Sequence, residues 1–389
     1  MGLQCQRDLF RLEDDVHYIN CAYQAPLMRQ AEEAGRIALR QRTRPYTYTV
    51  KDFFKPVRRV KQQFAKLIGA PDHERIAVIP SVSYGIATVA ANVDLKAGEN
   101  IVVVSEQFPS NYYAWKRLCA ERGAELRVIE APEKRTDWSM RIAMAINEQT
   151  RVLAMGHVHW ADGTKFAISG IAQKARSMGA LVIIDGTQSI GALPFPFQEV
   201  QPDALICAAY KWLLGPYSIG LAYYGPWFDD KLPIEENWIT RERSDDFQNL
   251  VMYQDHYRPK AFRYSVGESS NFLLVPILLA ALKQLNAWRP KRIQRYCQKL
   301  VEPYIPGWQE MGFQIPDKED RAAHLFGIRV PAGTDLDQIK PILRKHQVHV
   351  SFRGDALRVS PHLYNNQDDM AALTKVLKAM ASTRKRVKT

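Results

Sequence analysis

An α/β architecture with a mostly parallel sheet, covered on both faces, is predicted by three observations. From about residue 75 to 224, short β-branched runs alternate with helix-like periods. The runs are almost continuously apolar, so they read as strands buried on both faces. The chain has 389 residues and is 46% hydrophobic, enough for a large core and two domains.

The elements follow in order. Arg75 to Pro80 reads as a strand and Ser83 to Asp94 as a helix. Ile101 to Ser105 is a strand and Tyr112 to Glu121 a helix. Glu125 to Glu130, Arg151 to Val158 and Leu181 to Asp185 are strands, with a helix at Ile168 to Ser177. Ala204 to Cys207 and Ile219 to Tyr224 complete the set. Residues 226 to 270 have little periodicity and read as a long loop bordering a site. Residues 275 to 311 read as helical. Then come a strand at Leu325 to Val330 and a helix at Leu336 to His346. Val348 to Arg353 and Ala356 to Ser360 should pair across Gly354-Asp355, a hairpin-turn dipeptide. Asp368 to Met380 closes as a helix. The expected division is a large domain over residues 20–265 and a small α+β domain formed by 1–19 and 266–389, with residues 1–19 as an N-terminal arm.

Lys and Arg number 53 against 41 Asp and Glu, a formal net charge of +12. No zinc-finger spacing, RNP-like motif or basic-region heptad accompanies it, so no nucleic-acid partner is expected. The dense run Arg384-Lys385-Arg386-Val387-Lys388 reads as a solvated tail. Cys5, Cys21, Cys119, Cys207 and Cys297 are scattered and never in CxxC spacing, which predicts neither disulfides nor a metal site and fits a reducing, cytoplasmic setting. The opening residues have no apolar signal-peptide core, and the apolar run Phe272 to Leu282 is too short for a membrane span.

Two segments carry the chemistry. In the first, Asp185-Gly186-Thr187-Gln188-Ser189-Ile190-Gly191, an acid ends a buried strand. Alone, such an Asp is more often a cap or turn residue. In the second, Tyr210-Lys211-Trp212-Leu213-Leu214-Gly215-Pro216, a lysine follows an apolar strand. Alone, it is more often a snorkelling surface lysine. Both sit beyond carboxyl ends of strands, where sheets of this kind bind ligands. Ser81, Ser83, Phe108 and Trp160 are placed there too.

Together, Asp185, Gln188, Gly191 and the Tyr210-Lys211 pair resemble the class V aminotransferase family, of the fold-type I enzymes dependent on pyridoxal 5′-phosphate (PLP). The resemblance runs from about Tyr18 to Met380. It implies that Lys211 forms a Schiff base with PLP, is displaced by an α-amino acid, and then acts at the substrate Cα. Asp185 is implied to keep the pyridine nitrogen protonated, Gln188 to donate to O3′, and Phe108 to stack on the ring. For the phosphate, the turn Pro80-Ser81-Val82-Ser83-Tyr84 offers Ser83 and Tyr84, with Tyr210 beside the lysine. The family often has a serine three residues before the lysine; here that position is Ala208. A loop from a partner subunit is implied to reach the phosphate, matched by Ser270 in Gly267-Glu268-Ser269-Ser270-Asn271, hence a homodimer with shared sites. Arg358, in Arg358-Val359-Ser360-Pro361-His362-Leu363-Tyr364-Asn365, is implied to bind the substrate carboxylate. Asn20 is expected to line the substrate pocket. Trp160 stands where relatives often have Asn and is expected to bind substrate as an aromatic wall of the pocket.

Cysteine desulfurases of this family need a cysteine on a loop before the arginine. The segment Val348 to Ala356 has none, which argues against that reaction. The expected function is amino-acid transamination. A Cβ or C–S lyase, a kynureninase-like hydrolase or an epimerase would use the same scaffold. A degenerate PLP fold serving as a binding protein is a further alternative, opposed by the presence of both Asp185 and Lys211. His157 and His159 read as ordinary hydrogen-bonded histidines.

Overall fold

The structure, a computed structural model, describes residues 2–133, 137–330 and 336–387; the side chains of the C-terminal basic run lie outside the described residues. In chain order the elements begin with β1 (His17–Tyr18), α1 (Arg29–Arg42), α2 (Val50–Ile68), β2 (Ile76–Ile79), α3 (Val82–Asn92), β3 (Asn100–Val104) and α4 (Tyr113–Arg122). They continue with β4 (Glu125–Ile129), α5 (Trp138–Ala145), β5 (Thr150–Gly156), α6 (Ile168–Ser177), β6 (Leu181–Asp185), α7 (Phe197–Val200), β7 (Ala204–Ala208) and β8 (Gly220–Tyr224). The last third holds α8 (Leu274–Trp288), α9 (Pro290–Val301), α10 (Ile305–Glu310), β9 (Phe326–Arg329), α11 (Leu336–Lys345), β10 (Val348–His349), β11 (Ser351–Arg353), β12 (Ala356–Val359) and α12 (Gln367–Val387).

The central sheet has seven strands in the order β2-β8-β7-β6-β5-β3-β4. All neighbours are parallel except β8, which runs against both β2 and β7. Burial explains the continuous apolarity of the strands. Val102, Val104, Leu205 and Cys207 face one core, while Ile101, Val103, Ile206 and Ala208 face another. Successive side chains point to opposite faces, so a strand with cores on both sides has no polar positions to alternate.

This topology sets one edge of the sheet as the site. The carboxyl ends of β2, β3, β5, β6 and β7 all reach it. Because β8 is reversed, the residues that precede it arrive at the same edge, which brings in Tyr217 and Ser218.

The small domain centres on the antiparallel sheet β11-β12-β9. The N-terminal arm joins it: β1 pairs with β10 in parallel and Asn20 bridges Ser360. The expected single strand from Val348 to Arg353 is instead two short strands. Val348–His349 pairs with β1, whereas Ser351–Arg353 turns to pair with β12. Helix α8, which follows the expected boundary at residue 266, packs Val275, Leu278, Leu282 and Leu285 in the same core as Val102, Leu205 and Cys207 of the central sheet. A separate core gathers Ile19 with residues from Leu300 onward. Between residues 226 and 270 only short 3-10 turns form. No helix among the described residues is long and apolar enough to cross a membrane.

Candidate active site

Two chain segments meet at the edge of the sheet through a glycine. Gly191 has φ +106°, and a Cβ there would lie 2.1 Å from the carbonyl oxygen of Trp212. No side chain fits, so the backbone after Asp185 packs directly on the backbone after Lys211. Trp212 Nε1 then donates to Gln188 Oε1 at 2.8 Å, tying the two segments again. Two non-glycine residues beside the lysine, Leu214 and Ser218, also have positive φ. Such conformations cost free energy and tend to gather at functional sites.

A cavity of about 290 Å³ opens between these segments and α3, lined by Ser81, Ser83, Phe108, Trp160, Asp185, Gln188, Tyr210 and Lys211. It continues outward into a mouth lined by Tyr23, Trp160, Tyr210, Lys211, Tyr217, Arg353 and Arg358.

Lys211 is 5% exposed. Burial pushes its amine down to about 8, against the pull of Asp185, and the nearby Arg358 and Arg353 add to the depression. Its Nζ lies 5.1 Å from the Phe108 ring centroid and 5.5 Å from that of Tyr210. Burial raises the Asp185 carboxyl; a hydrogen bond from the Thr187 N–H at 2.9 Å and the Lys211 charge oppose the rise. Gln188 Nε2 donates to the Ala22 carbonyl at 3.3 Å, a long bond that leaves its other N–H for the cavity.

At the opposite end, Ser81 caps α3 by accepting from the Tyr84 N–H, and the Ser81 and Ser83 hydroxyls meet at 3.0 Å. A helix start with two hydroxyls and free N–H groups suits a phosphate. Tyr84 turns its phenol away, donating to Glu235 at 3.1 Å. Ala208 lines this end, and Ser218 stands on the same wall.

Arg358 is 1% exposed, and its Nη1 donates to the Trp160 carbonyl at 3.0 Å. Its Nε and Nη2 are buried without a partner. Burial, with Arg353 beside it, pushes the guanidinium down to about 9, still cationic at neutral pH. Trp160 meets Phe108 edge-on at 5.4 Å, and its indole N–H donates to the Glu106 carbonyl at 2.6 Å. Glu106 has φ +51°, which turns that carbonyl toward it.

Not every expected residue reaches the cavity. The Asn20 side chain accepts from the Ser351 hydroxyl at 2.8 Å and fastens the arm, while Ala22, Tyr23 and Gln24 form the wall. Ser270 lies in a separate depression with Phe53 and Trp238. His159 does line the cavity, held by Asp162 at 3.1 Å and the Ser105 carbonyl at 3.3 Å. Burial holds His157 neutral, pushed down to about 3. Arg353, Tyr23 and Tyr217 are among the lining residues that motif reading leaves out, as are Gln107, Ser110 and Thr187.

The donor set fits PLP. A buried amine of lowered pKa can capture an aldehyde, a buried carboxylate can hold a ring N–H, and the Ser81–Ser83 helix start can hold a phosphate. A family model described as aminotransferase class-V matches residues 41–373. An uncharacterized aminotransferase of Bacillus subtilis is 26% identical over 80% of each chain. Isopenicillin N epimerase of Amycolatopsis lactamdurans is 22% identical over 96% of this chain and 98% of its own. The solved apo cysteine desulfurase of Thermococcus onnurineus NA1 superposes with a TM-score of 0.84 at 20% identity, covering 98% of this chain and all of that one. The chain therefore belongs to the class V aminotransferase family of PLP-dependent enzymes.

Proposed function

We propose that this enzyme binds PLP through Lys211 and Asp185 and acts on an α-amino acid, with transamination as its reaction. One observation carries the reading: a lysine of lowered pKa, a buried carboxylate and a guanidinium with two unpartnered nitrogens open into one continuous cavity. When bound, PLP supplies an aldehyde that takes the substrate amine and a ring that accepts the electrons released at Cα. Asp185 holds the proton at the ring nitrogen. Arg358 orients the α-carboxylate with its two unused donors. Lys211 carries the proton at Cα, a task matched to an amine poised near neutral pH. Ser83 and Tyr210 serve the phosphate end with the N-terminus of α3, and Phe108 faces the ring.

The cysteines support a reaction other than desulfuration. The described thiols at Cys21 and Cys119 are pushed up to about 12 and about 11 by burial, and Cys207 and Cys297 are raised as well. None of these is a ready thiolate nucleophile. None of the five cysteines lines the cavity or its mouth.

A homodimer is part of this proposal. Exposed Leu39, Trp238 and Leu273 surround the depression that holds Ser270, an apolar surface suited to a second copy. A cytoplasmic location is proposed from the five free cysteines. Light scattering should give twice the chain mass; a monomer would sink the shared-site reading.

The function test is spectroscopic. The purified protein should absorb in the visible, and Lys211→Ala should abolish that band. An amino-acid panel should then yield at most one equivalent of keto acid per site without an acceptor keto acid, and many turnovers with one. Ammonia release independent of an acceptor would replace transamination with lyase chemistry, and racemised substrate would replace it with epimerisation.

A further inference from the structure

We infer that the cavity mouth is a two-anion site, in which Arg353 binds a second carboxylate on the side chain of the amino acid whose α-carboxylate Arg358 holds. The inference rests on the amino-acid reading above and names the substrate class: dicarboxylic amino acids.

The β11–β12 register sets Ser351 opposite Arg358 and Arg353 opposite Ala356. Alternation along the strands therefore puts Arg353 and Arg358 on the same face of the hairpin as diagonal neighbours. Diagonal positions lie about 7–8 Å apart, and like charges in adjacent strands repel. The short side chain of Ala356 opens space beside Arg353 rather than separating the two charges.

Among the described residues, nothing neutralises this pair. Neither arginine forms an ion pair among the described residues, whereas Arg75, Arg321 and Arg329 reach carboxylates at 2.8, 2.7 and 3.0 Å. Arg353 Nε is buried without a partner, and its Nη1 reaches only the carbonyl of the preceding Phe352, at 2.6 Å. Arg358 keeps two unpartnered nitrogens. Among the described residues, no acidic side chain lines the mouth. The phosphate end, with Ser81 and Ser83, belongs to the floor and not to the wall that carries the arginines.

Trp160 ties the two charges into one device. The Arg353 and Arg358 guanidinium carbons lie 5.0 and 5.8 Å from the centroid of its ring. The ring positions both forks and leaves an apolar surface for the methylenes that would join two carboxylates. A buried guanidinium with unmade hydrogen bonds is costly, so the missing acceptors are those of a ligand.

The test compares matched ligands on the holoenzyme. Glutamate should exceed glutamine in kcat/KM by about 10–100-fold, and aspartate should exceed asparagine, the difference one charged hydrogen-bonded contact supplies. Arg353→Gln should bring each acid-to-amide ratio toward one, mainly through KM. Arg353→Lys should restore it in part. Calorimetry provides a readout without turnover: glutarate should bind more tightly than butyrate, and Arg353→Gln should remove the difference. An unchanged visible band certifies that each variant is folded.

Equal values for acid and amide in the native enzyme overturn the inference and leave the amino-acid reading intact. So does an Arg353→Gln variant that lowers both members of a pair equally. If no amino acid perturbs the band, the underlying reading fails and this one fails with it.

Discussion

The floor and the mouth of the cavity are built in opposite ways. The floor takes Asp185, Gln188 and Lys211 from short segments that follow adjacent strands, and packs them backbone to backbone at Gly191. Asp185 and Gln188 there already have partners within the chain. The mouth combines the N-terminal arm, the turn after β5 and the β11–β12 hairpin, and leaves guanidinium nitrogens unpartnered. A satisfied floor suits an invariant ligand, the cofactor. An unsatisfied mouth leaves its bonds to whatever substrate completes them.

That contrast can be broken by substitution. The largest effect is expected at Asp185→Asn, which removes the carboxylate proposed to hold the ring nitrogen's proton. Loss of one member of a buried charged pair costs about 2–5 kcal/mol, so kcat/KM should fall roughly 30- to 5,000-fold for every substrate. Steady-state kinetics across an amino-acid panel checks this, and a loss confined to some substrates would erase the distinction between floor and mouth.

Gly191→Ala should come next. The clash with the Trp212 carbonyl and the positive φ predict about 2–4 kcal/mol of destabilisation by urea unfolding, with weaker cofactor retention. A variant as stable as the parent would show that the two segments can separate freely.

Arg358→Gln should act on substrate alone. Its lost charged hydrogen bonds predict about 10–100-fold weaker amino-acid binding, with the visible band unchanged. A variant that fails to load PLP would place Arg358 in the floor instead.

The smallest effect concerns the cofactor-free protein. Lys211 has a folded pKa of about 8 against an ordinary 10.5, so the unfolded chain holds the extra proton between those values. The destabilisation from burying the charged amine is full below about pH 8 and fades as pH rises toward 10.5. Lys211→Met should stabilise the apoprotein by roughly 1–2 kcal/mol at pH 7 and by less at pH 10. A gain independent of pH would mean that packing, not charge, is responsible.

The same contrast explains what the sequence reveals. The strands of the central sheet are legible because both faces are buried and apolarity is continuous. The floor is legible because Asp185, Gln188 and Gly191 are sequence neighbours, and Tyr210-Lys211 ends the next strand. Arg353 is not, because only the hairpin register brings it beside Arg358. Tyr217 enters because β8 is reversed, a fact of strand pairing rather than local pattern. Asn20 and Ser351 bond to each other, which no motif encodes.

Two helices between residues 29 and 68 are also missing from the sequence reading, for different reasons. Helix α1 buries only Ala31, Gly35 and Ala38, so it has no apolar stripe to read. Helix α2 does carry one, with Val57, Val60, Phe64 and Ile68 on its buried side, but Pro56 interrupts the signal.

The turn that carries Trp160 has a further consequence. Gly163 has φ +77°, and a Cβ there would fall 2.0 Å from the Leu325 carbonyl oxygen. The Gly327 N–H donates to the Asp162 carbonyl at 2.8 Å, and the Ala322 N–H to the Gly163 carbonyl at 3.1 Å. This piece of the large domain is thus welded to the strand that pairs with the arginine hairpin. The mouth is therefore framed by main-chain bonds, which hold its outline whichever side chains come to line it.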